Sequence, residues 1–155
     1  MDSSTLIRAN KAVLSFFGIG YSKYAPGTIA SLVFLPIIYF FAANHNDLLL
    51  YLGIGLTVLG TLLIIVIRNN TSISHDPSWI VIDELAGMCF VFIAINPTFF
   101  TLVVGFLCFR YFDIHKWGLV RFFDTRSRYS ICVMLDDCVA GIQTNVILQL
   151  LLFFY

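Results

Sequence analysis

Three features of this chain predict an all-α, compact helical bundle of about five apolar helices, set in a membrane. Hydrophobic residues fill 59% of the 155 positions and charged residues only 12%, about half the charged share of an ordinary globular chain. With a mean hydropathy of +0.91, the chain has more apolar surface than it can bury, and lipid is the simplest cover for the surplus. The apolar residues fall in five runs of helical length, broken by polar turns. The length suits one domain over 1–155.

The runs follow in order. The first, 28–43, is short and contains Pro36. The second, 48–67, is the cleanest, without a charged residue; spanning hydrocarbon takes roughly 17–25 residues. The third is 79–95, the fourth 99–112 and the fifth 131–155. Asn44-His45-Asn46-Asp47, Arg68-Asn69-Asn70 and Asn96-Pro97 separate them with turn-forming chemistry. Runs one and four are marginal in length, so tilted, partly inserted and simply buried helices all stay open for them.

The placement of charge supports this map. All nine basic residues, from Arg8, Lys11 and Lys23 through Arg68 to Arg110, Lys116, Arg121, Arg126 and Arg128, fall in segments that five spans put on one side. The connections at 44–47 and 96–98 contain none. The positive-inside rule makes the basic side cytoplasmic, with the N-terminus in and the C-terminus out. Zero net charge gives no footprint for nucleic acid. Cys89, Cys108, Cys132 and Cys138 lack metal or redox spacing and read as small core residues. The first residues have neither the basic start nor the apolar stretch of a signal peptide.

Against that background the acids stand out. Asp83-Glu84 falls inside the third run and Asp136-Asp137 inside the fifth, while Asp113 closes the fourth and Asp124 follows in the basic loop. A carboxylate at membrane depth costs on the order of 2.5–3.5 kcal/mol on insertion scales. Both pairs lie roughly one or two turns from the cytoplasmic end of their helices, shallower than a proton path requires. Asp83 is followed at i+3 and i+4 by Ala86 and Gly87, and Asp137 by Ala140 and Gly141. Small residues on the acid's own face let helices approach closely, and anions pressed together need a cation. A hard divalent ion such as Mg²⁺, held by carboxylates and by substrate phosphate oxygens, meets that need. Neutralisation by Arg110, Lys116 or Arg121 is the structural alternative, and it does not explain doubled acids on two helices.

Two further segments bear on chemistry. Gly18, Gly20 and Pro26-Gly27-Thr28 lead into the first run, and a glycine-rich loop feeding a helix N-terminus suits an anion; a plain turn fits equally well. Arg110 and Lys116, beside Asp113, suit phosphate binding, and with Trp117, Phe122 and Phe123 the loop also reads as an interfacial helix. His75 lies near the acidic face, His45 on the opposite side and His115 in the basic loop; none is assigned a role.

Taken together, these segments resemble the phosphatidylglycerophosphatase A family. The resemblance is carried by Gly20-Tyr21-Ser22 with Ala25-Pro26-Gly27-Thr28, by Ile82-Asp83-Glu84-Leu85-Ala86-Gly87-Met88, by Phe109-Arg110-Tyr111-Phe112-Asp113 with Lys116 and Asp124, and by Met134-Leu135-Asp136-Asp137 with Ala140-Gly141. It implies a Mg²⁺-dependent lipid phosphatase in phospholipid biosynthesis, converting phosphatidylglycerophosphate to phosphatidylglycerol. The enzyme would be a multi-pass protein of the bacterial inner membrane, with its site on the cytoplasmic side. On this reading Asp83, Glu84, Asp136 and Asp137 hold the metal, Arg110, Lys116, Ser22 and Thr28 bind phosphate, and Asp113, Asp124 and Lys116 serve catalysis. Homo-oligomer formation stays open.

The chain departs from the family pattern at Trp117-Gly118-Leu119-Val120, where a proline-rich step is usual, and at Tyr129-Ser130-Ile131-Cys132, where a glycine-rich turn is usual. Ala30 replaces a glycine and Lys23 a proline. A member that keeps the fold without the chemistry is therefore one competing expectation, and a membrane carrier or assembly protein is another. CDP-alcohol phosphatidyltransferases also place acids in membranes, but neither acidic pair here continues as DGxxAR.

Overall fold

A computed structural model describes residues 3–44, 46–71, 77–117, 119–125 and 129–154. Among the described residues the chain is helical: α1 (Ser3–Leu14), a 3₁₀ turn (Ile19–Tyr21), α2 (Pro26–Asn44), α3 (Asn46–Asn70), α4 (Ile82–Val91), α5 (Phe99–His115), α6 (Leu119–Asp124) and α7 (Ser130–Phe154). The all-α expectation holds, and four of the five runs match α2, α3, α5 and α7 to within a few residues. The short helices α1 and α6 add to them.

Local chemistry sets the ends. Pro26 opens α2, where its missing N–H is no loss. Thr98 and Thr101 form a reciprocal capping box at the start of α5, with Thr98 Oγ1 accepting from the Thr101 amide at 3.1 Å and Thr101 Oγ1 accepting from the Thr98 amide at 2.8 Å. Lys116 ends α5 in the left-handed region at φ 50°, its amide donating to the Phe112 carbonyl at 2.9 Å. At the start of α7, Ser130 Oγ accepts from Arg68 Nη1 at 3.1 Å, tying it to the end of α3.

The third run is corrected. α4 has only 10 residues, about 15 Å of helix against roughly 30 Å of hydrocarbon, so it does not cross a membrane by itself. It ends at Val91, and three residues further on Ala94 takes φ 57°. Asn145 of α7 donates to the Val91 and Ile93 carbonyls, each at 2.8 Å, and so satisfies the orphaned helix end inside the protein. Eight of its residues are buried, from Ile82 to Val91, because α2, α3, α5 and α7 surround it. Three helices, α2, α3 and α7, are long and apolar enough to span. α5, at 17 residues, stands at the short limit. Side chains such as Leu32, Phe40, Tyr51, Val58, Leu62 and Leu151 point outward, the apolar exterior that lipid requires.

α4 and α7 run parallel in close contact. A Cβ on Gly141 would run into the Gly87 carbonyl, and one on Gly87 would lie 2.7 Å from the Asp137 carbonyl. The small-residue faces anticipated beside each acidic pair therefore do meet. α3 and α5 run the other way: Gly60 of α3 lies beside Met134 and Gly53 beside Cys89, while Gly105 of α5 lies beside Leu148. As a result the starts of α2, α4 and α7 and the end of α5 gather at one end of the bundle.

Candidate active site

At that end lies a cavity of about 210 Å³ lined by Asp83 and Glu84 from the first turn of α4, Asp136 and Asp137 from α7, and Arg110, Asp113 and Lys116 from the end of α5. Ala25, Pro26 and Gly27 at the start of α2, with Ser78 and Ile80 before α4, complete the wall. Parallel packing of α4 on α7 brings the two acidic pairs level, and the left-handed turn at Lys116 keeps its side chain over them.

The two pairs are not equivalent. Asp83, Glu84 and Asp137 each present a carboxylate oxygen within 4.8 Å of the others. Asp136 faces Lys116 instead, with Nζ donating to Oδ2 at 2.6 Å. Lys116 Nζ also lies 3.6 Å from Asp113 Oδ1. Arg110 Nη1 is 2.8 Å from Asp113 Oδ2 and 3.9 Å from Glu84 Oε1; at the shorter distance it is an ion pair whose angle falls short of a hydrogen bond. In each acidic pair the first Asp accepts from the next residue's amide at 3.1 Å, Asp83 from Glu84 and Asp136 from Asp137.

Electrostatics at the site follow from this crowding. Burial pushes the Glu84 carboxyl up to about 8, and the neighbouring Asp137 and Asp113 add to the effect against Asp83 and Arg110. Burial works to lower the Lys116 ammonium, but Asp136, Asp137 and Asp113 outweigh it and raise its pKa, so Lys116 is a fixed positive charge. Glu84 Oε2 and Asp137 Oδ1 are buried without a hydrogen-bond donor. Three oxygen donors, two of them with an oxygen otherwise unsatisfied, fit a hard divalent cation.

Most of the residues singled out from sequence therefore converge: Asp83, Glu84, Arg110, Asp113, Lys116, Asp136 and Asp137 share one cavity. Asp136 shares the cavity but faces Lys116, outside the cluster of Asp83, Glu84 and Asp137. Ser22 and Thr28 do not line the cavity; Ser22 Oγ donates to the Tyr24 carbonyl at 3.2 Å, and Pro26 and Gly27 line the cavity beside them. Asp124 ends α6, and its side chain lies outside the described ones, as do His45 and His75. His115 Nδ1 sits 2.9 Å from the Tyr111 carbonyl, exposed and away from the acids. Ser78 and Asn145 were missed. Ser78 gave no signal, whereas an Asn two turns beyond an acidic pair on an apolar helix was a visible anomaly.

Comparison with known proteins places this arrangement. The phosphatidylglycerophosphatase A family model matches residues 12–152. Phosphatidylglycerophosphatase A of Escherichia coli strain K12 is 33% identical over 136 residues, covering 85% of this chain and 77% of that protein. The Haemophilus influenzae protein of the same name is 30% identical over 84% of this chain and 81% of its own length. A putative phosphatidylinositol-3-phosphatase of Bacteroides thetaiotaomicron is 29% identical, with 85% and 86% covered. No solved structure matches the chain significantly. With the match running through both acidic pairs and across nearly the whole bundle, the chain belongs to the phosphatidylglycerophosphatase A family.

Proposed function

We propose that this protein is a membrane phosphatase that hydrolyses the terminal phosphate monoester of phosphatidylglycerophosphate, giving phosphatidylglycerol and phosphate in phospholipid biosynthesis. The observation that carries the reading is the convergence of Asp83, Glu84 and Asp137 within 4.8 Å beside Arg110 and Lys116 in one cavity. The matched relatives named phosphatidylglycerophosphatase A supply the substrate. As a single domain the chain would sit in the bacterial inner membrane as a multi-pass protein. Its cavity would face the cytoplasm, on the side of the basic residues.

Asp83, Glu84 and Asp137 would hold Mg²⁺. When bound, that ion supplies Lewis-acid polarisation of the phosphoryl oxygens. Arg110 and Lys116 bind the phosphate and stabilise the charge that grows on its oxygens as water attacks. Asp136 holds the Lys116 ammonium in place. Asp113, ion-paired to both cations, aligns them; it lies outside the Asp83, Glu84 and Asp137 cluster, which leaves it to take the proton from the attacking water. The bond from phosphorus to the glycerol oxygen then breaks, and that oxygen recovers the proton. Asp124 is the alternative base. The acyl chains stay in lipid while the headgroup enters the acidic end of the bundle.

The test is phosphate release from phosphatidylglycerophosphate by detergent-purified protein with Mg²⁺ or EDTA, alongside Asp137→Asn. Mg²⁺-dependent release that disappears in the variant supports the reading, and no release from folded protein overturns it. The Bacteroides thetaiotaomicron relative favours one second reading, a phosphoinositide monophosphate substrate, so phosphatidylinositol-3-phosphate belongs in the same assay.

A further inference from the structure

Beside the acidic cavity lies an apolar groove of about 440 Å³ that the reaction above leaves unused, lined by Phe112, Trp117, Ile142, Gln143, Val146 and Ile147. The two share a wall. Asp113 and Lys116 face the cavity, while their flanking neighbours Phe112 and Trp117 face the groove. On α7 the same division repeats along the axis, with Asp136 and Asp137 in the cavity and the groove beginning at Ile142. Gln143 lies about 9 Å beyond Asp137 along the helix and Ile147 about 15 Å, at 1.5 Å per residue. Since α7 runs away from the acidic end, the groove descends from the cavity toward the bundle's interior depth. Ile142 and Val146 are 50% and 52% exposed, so it opens sideways along its length.

Gln143 is the one polar side chain among the described residues lining the groove. It makes no hydrogen bond to any described residue. An amide left without a partner at membrane depth is costly. A phospholipid supplies the missing partner, because its ester carbonyl accepts hydrogen bonds, donates none, and is tethered one glycerol unit from the phosphate.

Resting on the phospholipid-phosphatase reading, we infer that the α5–α7 groove seats one acyl chain of the substrate, with Gln143 Nε2 donating to the chain's ester carbonyl while the phosphate lies among the acids. Trp117 stands at the mouth, where the chain leaves the headgroup. The groove makes the enzyme a reader of the diacylglycerol portion as well as of the phosphate.

Two arms test this. In the first, phosphatidylglycerophosphate with a photoactivatable diazirine on one acyl chain is cross-linked to the full chain in detergent micelles, and labels are mapped by mass spectrometry. The expected labels concentrate on Phe112, Trp117 and residues 142–147, are displaced by unlabelled lipid, and vanish in Val146→Trp. Labels spread evenly over the outward faces of α2 and α3, or unchanged in Val146→Trp, overturn the inference and identify bulk-lipid contact. This arm reads occupancy whether or not phosphate is released, so failure of the groove and failure of the reaction are distinguishable. In the second arm, Gln143→Leu raises KM for the diester substrate roughly five-fold, the order expected of one hydrogen bond, and raises it markedly less for the diether analogue, which has no carbonyl to accept. An equal effect on both lipids, or on neither, overturns the role of Gln143.

Discussion

Lys116 Nζ sits 2.6 Å from Asp136 Oδ2, and that one contact divides the labour of the Asp136-Asp137 pair. Asp136 is spent on the lysine, which leaves Asp137 to join Asp83 and Glu84. Two adjacent residues on a helix point about 100° apart, so a neighbouring pair naturally serves two directions.

The first prediction separates the two aspartates. Asp137→Asn removes one carboxylate of the proposed cation site and is expected to abolish Mg²⁺-dependent turnover and to weaken metal binding by at least ten-fold. Asp136→Asn keeps metal affinity near the wild-type value and instead raises KM, because Lys116 loses its shortest ion pair. Metal titration of the two variants side by side decides this, and equal metal loss in both would place Asp136 in the ligand set.

The Lys116–Asp136 pair also bears on stability. Asp136 is 4% exposed, so Lys116→Met removes the cation 2.6 Å from a buried carboxylate and destabilises by about 3 kcal/mol. The double variant Lys116→Met with Asp136→Asn recovers most of that loss. Thermal unfolding of the two variants in one detergent provides the comparison.

The helix contact at Gly87 and Gly141 sets a third expectation. Gly141→Ala forces its new methyl against the Gly87 carbonyl, backbone that cannot yield without separating α4 from α7, and should destabilise by about 1–3 kcal/mol. Gly55→Ala, where nothing lies within 4 Å, should instead stabilise α3 by roughly 0.5–1 kcal/mol. Melting temperatures moving in opposite directions would bear this out.

Gly27 offers a cleaner probe of the site. An added Cβ there meets Glu84 Oε1, the mobile end of a side chain, so Gly27→Ala should displace Glu84 while the fold survives. The expected result is a melting temperature close to wild type with metal affinity reduced about ten-fold. A variant that fails to fold would show that the start of α2 is structurally essential for another reason.

Asn145→Leu is predicted to lose about 1–3 kcal/mol, since the Val91 and Ile93 carbonyls lose their shared donor. Hydrogen exchange should rise selectively at the end of α4. A uniform rise across the protein would instead mean that Asn145 supports the whole bundle.

Much of this molecule is written into local sequence. Four apolar runs appear as α2, α3, α5 and α7 because length and hydropathy are properties of the runs themselves. The acids could be found because a carboxylate in an apolar run is anomalous wherever the chain folds, and the Ala-Gly steps after Asp83 and Asp137 announced close helix packing. The length of α4 was less legible. Residues 79–95 are apolar enough for a longer helix, and the break after Val91 with the Asn145 cap depends on a residue 52 and 54 positions further along the chain.

What required the tertiary structure was the assignment of partners. Whether Asp136 or Asp137 meets Lys116, whether Ser22 or Pro26 and Gly27 line the cavity, and whether Phe112 and Trp117 form a groove all depend on relative helix rotation and depth. Those are fixed by packing between distant segments, at contacts such as Gly87 against Gly141. Composition and spacing determined that there would be helices, a polar end and a cluster of acids; packing settled which oxygen faces which charge.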